Sequence, residues 1–114
     1  MVKKWQIYFC NLDPVIGSEQ RGYRPVLVIS NNSVNKYIPI CTVIPISSIK
    51  QGSKIYPTEV ILPMDKSGLP KPSVAMIQQI RTISQERLSK YISEISDSDI
   101  QKEIVDGLKK YFEL

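Results

Sequence analysis

The chain has 114 residues, enough for one domain with a core of its own and no disulfide staples, so residues 1–114 are read as a single domain. Fifteen Lys and Arg against eleven Asp and Glu leave a formal charge of +4, which favours an anionic partner and equally suits an ordinary basic protein. Histidine is absent, which excludes a His-dependent triad, a His-paired acid–base mechanism and a His-ligated metal from within this chain. Any catalysis falls to Arg, Glu, Asp, Lys, Tyr, Ser or Thr.

Cys10 and Cys41 each lie inside an apolar segment, far from any metal-ligand spacing, and read as buried, reduced core residues. The apolar run near the start is broken by Asn11 and Asp13 before it reaches the length of a signal-peptide core, and no segment approaches membrane-spanning length. A cytoplasmic protein with no membrane association is expected.

Ile7 to Leu12, rich in β-branched and aromatic residues, predicts a first strand stopped by Asp13-Pro14. Trp5 and Tyr8 are the kind of rings that stack on bases, but on a short strand aromatics more often serve a core or an interface. A polar, Gly-bracketed loop, Gly17 to Pro25, comes next. Pro25 to Ser30 then reads as a strand buried on both faces, ended by Asn31-Asn32-Ser33. After about one helical turn at 33–37, the apolar run Ile38 to Ile46 carries Pro39 and Pro45, which predict an edge position or breaks in the ladder. Ile49 to Lys54 reads as a mobile basic connection and Thr58 to Leu62 as a strand. Met64 to Pro72, with Gly68, Pro70 and Pro72, reads as an irregular loop. Val74 to Ile77 predicts a buried strand leading into Gln78 to Ile83, Ser84 to Leu88 a short helix, and Ile92 to Ile95 a short strand. Ser96-Asp97-Ser98-Asp99 supplies an N-cap, and Ile100, Ile104, Leu108 and Phe112, supported by Val105 and Tyr111, repeat at helical spacing. The fold class is therefore mainly β (α+β): a small sheet or barrel with a C-terminal helix packed on it, Gly107 weakening that helix modestly.

The Gly17 to Pro25 loop concentrates the chemistry. Arg24 precedes a proline that biases it toward extended geometry, at the mouth of a buried strand, where a guanidinium can grip phosphate and stabilise charge developing on phosphorus. An ion pair with Glu19 weighs about equally on chemistry alone. Glu19 is a candidate acceptor for a ribose 2′-hydroxyl proton, or a partner for Arg21 or Arg24. Ser18 and Gln20 offer hydrogen bonds to phosphate or base edges. Ser47 and Ser48 offer hydroxyls at the end of a strand, and Gln78 and Gln79 offer amides that read a base edge or end a strand.

Taken together, Gly17-Ser18-Glu19-Gln20, Gly22, Arg24-Pro25 and the run Val26 to Asn31 resemble the signature of the MazF/PemK family of toxin endoribonucleases. Asp13-Pro14, Pro57-Thr58, Ser73-Val74 and Gln79-Ile80-Arg81-Thr82-Ile83 before Arg87-Leu88 agree with it in order and spacing, over essentially the whole chain. The resemblance implies a compact SH3-like β-barrel with added helices, working as a homodimer whose interface builds a groove for single-stranded RNA. It implies sequence-specific, ribosome-independent cleavage of mRNA without a metal or other cofactor, by 2′-hydroxyl attack giving a 2′,3′-cyclic phosphate and a 5′-hydroxyl. The family's catalytic arginine matches Arg24, its loop glutamate Glu19 and its threonine Ser47, which keeps the hydroxyl and drops a methyl. Ser18, Gln20, Gln79 and Arg81 fall at positions resembling RNA-contacting residues. The implied partner is an antitoxin with an acidic, disordered tail.

Two departures, Trp5-Gln6 for a Gly-Asp pair and Gln78 for an acidic residue, touch base specificity rather than fold. Two other classes remain alongside: a CcdB-like toxin of the same barrel class that binds DNA gyrase and cuts nothing, and a non-catalytic SH3-like binding module.

Overall fold

In the computed structural model, which describes residues 1–114, side-chain alternation on the first strands sets the architecture. β1 (Gln6–Asn11) pairs antiparallel with β2 (Tyr23–Val28), and β2 with β3 (Ile40–Ser48). Directly opposed residues share a face, so Ile7, Leu27 and Ile44 line up on one side while Val28 and Val43 pair on the other. Both faces are covered: Ile7, Leu27 and Ile44 join a core with Ile46, Leu62, Ile77 and Ile104, and Cys10, Val26, Val28, Cys41 and Val43 join one with Leu12 and Ile83. This is why β2 reads as a continuous apolar run, as expected for a strand buried on both faces.

β4 (Glu59–Leu62), β5 (Ser73–Met76), β6 (Arg81–Ser84) and β7 (Leu88–Glu94) complete a seven-stranded antiparallel sheet of order β4-β5-β3-β2-β1-β7, with β6 also on β3. The elements α1 (Asn32–Tyr37), α2 (Met64–Ser67) and α3 (Ser98–Phe112) are helical. The expected mainly β, α+β class with a C-terminal helix is the observed one.

Several local expectations are refined. Of the two readings its prolines allowed, β3 shows the break in the ladder and not the edge position: its first half pairs β6 through Val43 and its second half pairs β5 from Ile46 onward. Pro45 is buried at that change of partner, where only β2 lies in register with it, so a missing N–H is tolerated in mid-sheet. The stretch expected to be an irregular loop opens with the single turn α2, closed by Gly68 in the left-handed region. Residues Ile77–Gln79 form a 3₁₀ turn between β5 and β6 rather than continuing a strand, and Ile92 belongs to the longer β7. The apolar stripe of α3 buries Ile100 and Ile104 but leaves Tyr111 and Phe112 exposed.

α3 begins where expected. The Asp97 carboxylate accepts from the Ile100 N–H at 2.9 Å, and that bond, with Lys66 nearby, holds the Asp97 carboxyl below its usual range. Gly107 is more than a weak point in this helix. A Cβ there would meet Ile77 Cδ1, the free end of a side chain on the 3₁₀ turn, so α3 packs close to that turn at this point. Both cysteines are free and buried, as expected, and burial pushes the Cys41 thiol up to about 11, so it stays protonated at neutral pH.

Candidate active site

The loop from Asp13 to Gly22 is closed at its base and stapled from outside. Leu12 N–H donates to the Gly22 carbonyl at 2.9 Å and Gly22 N–H to the Asp13 carboxylate at 3.2 Å; Gly22 takes φ +85°, which a side chain would resist. Two arginines hold the incoming strand end. Arg81 Nη1 donates to the Leu12 carbonyl at 3.0 Å, and Arg87 Nη1 to the Asp13 carbonyl at 2.6 Å.

Gln79 holds the loop's far side. Its Oε1 accepts from the Gln20 N–H at 3.0 Å and its Nε2 donates to the Ser18 carbonyl at 3.1 Å. Both ends of the amide are thereby spent on loop backbone. The Gln20 side-chain amide in turn lies over the face of the Arg24 guanidinium, within 2.6, 2.9 and 3.1 Å of Nε, Nη2 and Nη1. Arg24 Nε also lies 2.7 Å from the Arg21 carbonyl, to which it donates. A relay of polar contacts thus runs from the 3₁₀ turn through the loop to Arg24.

The ion pair weighed for Glu19 is not formed. Its Oε1 accepts from the Ile16 N–H at 2.8 Å, and the structure's two salt bridges, Lys66–Asp97 and Lys102–Asp106, lie elsewhere. Without a carboxylate partner, Arg24 keeps its charge available to an anion.

The anticipated residues divide between two depressions. Arg24 lines a cavity of about 810 Å³ together with Ser48. Glu19, Gln20, Gln79 and Arg81 line a smaller cleft of about 170 Å³ on the loop's other side, with Pro45 and Gln78. Ser47 lines neither, and alternation along β3 puts it on the face of Pro45 while Ile46 and Ser48 turn into the large cavity. The last β2–β3 pair is Val26–Pro45, and Arg24 and Ser47 lie two residues beyond it on their respective strands, hence on the same face. Ser18 is exposed and contributes its carbonyl to Gln79. Arg87 and Asp13, which anchor the loop, do not stand out as site residues in the sequence; the Asp13-Pro14 stop is the available signal. No three His, Cys, Asp or Glu side chains gather anywhere as a set able to hold a metal ion.

The model of the PemK-like, MazF-like toxins of type II toxin–antitoxin systems matches residues 3–112. The chain belongs to this family. The chain of this toxin is 40% identical over 102 residues to the endoribonuclease EndoA of Bacillus subtilis, covering 90% of this chain and 87% of that one. Among solved structures it superposes on MazF of Deinococcus radiodurans with a TM-score of 0.82 at 25% identity, over 99% of this chain and 97% of the other. An endoribonuclease from a mycobacterial species, crystallised in complex with its cognate antitoxin, superposes with a TM-score of 0.80 at 20% identity, covering 100% and 97% of the two chains. This toxin therefore has the MazF-like fold and is a homologue of a known endoribonuclease. None of its helices is long and apolar enough to cross a membrane.

Proposed function

We propose that this toxin is a sequence-specific, ribosome-independent endoribonuclease of the cytoplasm that cleaves single-stranded mRNA without a metal. The observation that carries this reading is Arg24, free of any carboxylate partner, held by Gln20 and the Arg21 carbonyl at the mouth of a cavity. The attacking group is the ribose 2′-hydroxyl next to the scissile phosphate. Its oxygen bonds to phosphorus as the bond to the 5′-oxygen breaks, the 2′-proton passes to a base and the 5′-oxygen takes one up. A 2′,3′-cyclic phosphate and a 5′-hydroxyl end result.

Arg24 stabilises the extra charge on the pentacoordinate phosphorus, a role suited to a guanidinium that does not readily deprotonate. Glu19, whose Oε2 is unengaged, is the proton acceptor that the family match gives; it lines the smaller cleft across the loop from Arg24, so the RNA has to span both depressions for it to act. A serine hydroxyl at the end of β3 bonds the phosphate, and Ser18, Gln20 and Arg81 line the RNA path. Gln79 acts through the loop. The toxin works as a homodimer and is silenced by an antitoxin whose acidic, disordered tail competes for the same basic surface.

The purified toxin, incubated with a long natural RNA in EDTA, is expected to produce discrete fragments whose ends map as 5′-hydroxyls within a common short sequence. Intact RNA with altered gyrase supercoiling points instead to a gyrase-binding toxin, and intact RNA with no effect on growth to a binding module. In the same assay Ser47→Ala and Ser48→Ala decide which hydroxyl serves: the sequence match favours Ser47, the cavity Ser48, and the variant with the larger loss of kcat names it.

Gln79→Ala is expected to lower kcat roughly ten- to a hundredfold, because a small displacement of Gln20 and Arg24 misplaces the charge on the phosphate. Single-turnover cleavage at saturating RNA checks it. A loss confined to KM would make Gln79 an RNA contact rather than a positioning residue.

A further inference from the structure

We infer that the large cavity beside Arg24 is a nucleotide subsite, in which a base flanking the cleavage point stacks on Tyr23 and Tyr91 while its phosphate is held by Lys71 and Lys90. The inference rests on the RNA-cleaving reading above and adds to it a place for the strand to run. The cavity continues directly from Arg24, and its fifteen lining residues include Arg21, Lys71 and Lys90 but no Asp or Glu. A concave surface of one charge sign concentrates a polyanion.

The rings are exposed yet held. Tyr23 and Tyr91 are 59% and 50% exposed, large for aromatic residues on strands. Tyr23 stacks on Phe9 with centroids 5.5 Å apart and planes 10° from parallel. Its hydroxyl is bonded to Ser89 Oγ, which itself donates to the Phe9 carbonyl at 3.2 Å. Tyr91 rests edge-on against Tyr8, centroids 5.7 Å apart. Rings fixed by β2 and β7 lose little freedom when a base arrives, and every base offers a face to stack on. Lys90, next to Tyr91 on β7, brings its charge to the same rim. Exposed rings among cations with no anion fit single-stranded RNA, whose repeat alternates a ring and a negative charge.

The test uses a 2′-O-methyl RNA spanning the cleavage site mapped for the wild-type toxin, which binds without being cut, together with versions carrying one abasic nucleotide at successive positions. Wild type is expected to lose roughly tenfold in affinity when one particular flanking base is removed. Tyr23→Ala and Tyr91→Ala should each bind the intact RNA roughly tenfold more weakly and be nearly indifferent to that same abasic position, the coupling a double-mutant cycle detects. Tyr23→Phe, which keeps the ring, should bind like wild type. Lys71→Ala and Lys90→Ala should each lower the salt dependence of binding by about one counterion.

If Tyr23→Ala unfolds, Tyr91→Ala decides alone, since Tyr91 lies exposed on the outermost strand β7. Unchanged RNA affinity and an unchanged abasic profile in the tyrosine variants overturn the subsite while leaving the nuclease reading standing. The subsite is equally overturned if these variants lose affinity only for an acidic peptide, which would make the cavity an antitoxin seat. A wild-type toxin that cuts no RNA removes the nuclease reading itself.

Discussion

Arg24→Ala is expected to slow RNA cleavage roughly 10²- to 10³-fold at saturating substrate while leaving the fold intact. The magnitude is that of deleting one donor aimed at charge that develops only in the transition state. Arg24 precedes the buried part of β2, its side chain bonds the Arg21 carbonyl and lies against the Gln20 amide, and no carboxylate depends on it, so its loss leaves no buried charge unpaired. Arg24→Lys separates charge from shape: lysine restores a point charge but not the fork that can hold Gln20 and a phosphate together, and should recover only part of the rate. Single-turnover rates for the three proteins, with circular dichroism to verify folding, check this. An alanine variant that cuts at the wild-type rate would remove Arg24 from the mechanism.

Gly68→Ala is expected to destabilise the toxin by about 2–4 kcal/mol, from two penalties of about 1–2 kcal/mol each. Gly68 closes α2 with φ +72°, where any Cβ is strained. The added Cβ would also stand 2.7 Å from Ser93 Cβ, on a side chain tied by its hydroxyl to the Ser67 carbonyl at 2.5 Å and unable to swing away. Against a total stability of about 5–15 kcal/mol this is a large fraction. Urea unfolding of the variant beside wild type measures it; a midpoint unchanged from wild type would mean that α2 and β7 can part without cost. Because Leu69, Pro70 and Lys71 line the cavity just after this glycine, a folded Gly68→Ala toxin is also expected to bind RNA more weakly.

Much of this is legible in the residues. Val26 to Val28 indicate a strand buried on both faces, and Asp97 marks the start of α3 through the hydrogen bond its carboxylate makes. The linear order of Gly17 to Pro25, with the later segments at their spacing, is enough to indicate the family, because a loop bracketed by glycines and followed by Arg-Pro is a local pattern. Pro45 signals a break in the ladder for an equally local reason: a proline sits in mid-sheet where no ladder hydrogen bond is asked of its nitrogen, and β3 changes partner at that residue.

The sequence by itself determined the early strands, the capped helix, the polar loop and the basic charge with no histidine, all of which follow from residues within a few positions of one another. Only the tertiary structure decided how the loop is used. Gln79, 59 positions from Gln20, holds it from across the fold, and Arg81 and Arg87 staple its base from β6 and the turn after it. The separation of Arg24 and Ser48 from Glu19 and Gln79 into two depressions arises the same way, from chain segments brought together by packing. Close approach is also a tertiary fact. Gly107 reads as a weak helical residue, and only packing shows that the end of the Ile77 side chain lies over it.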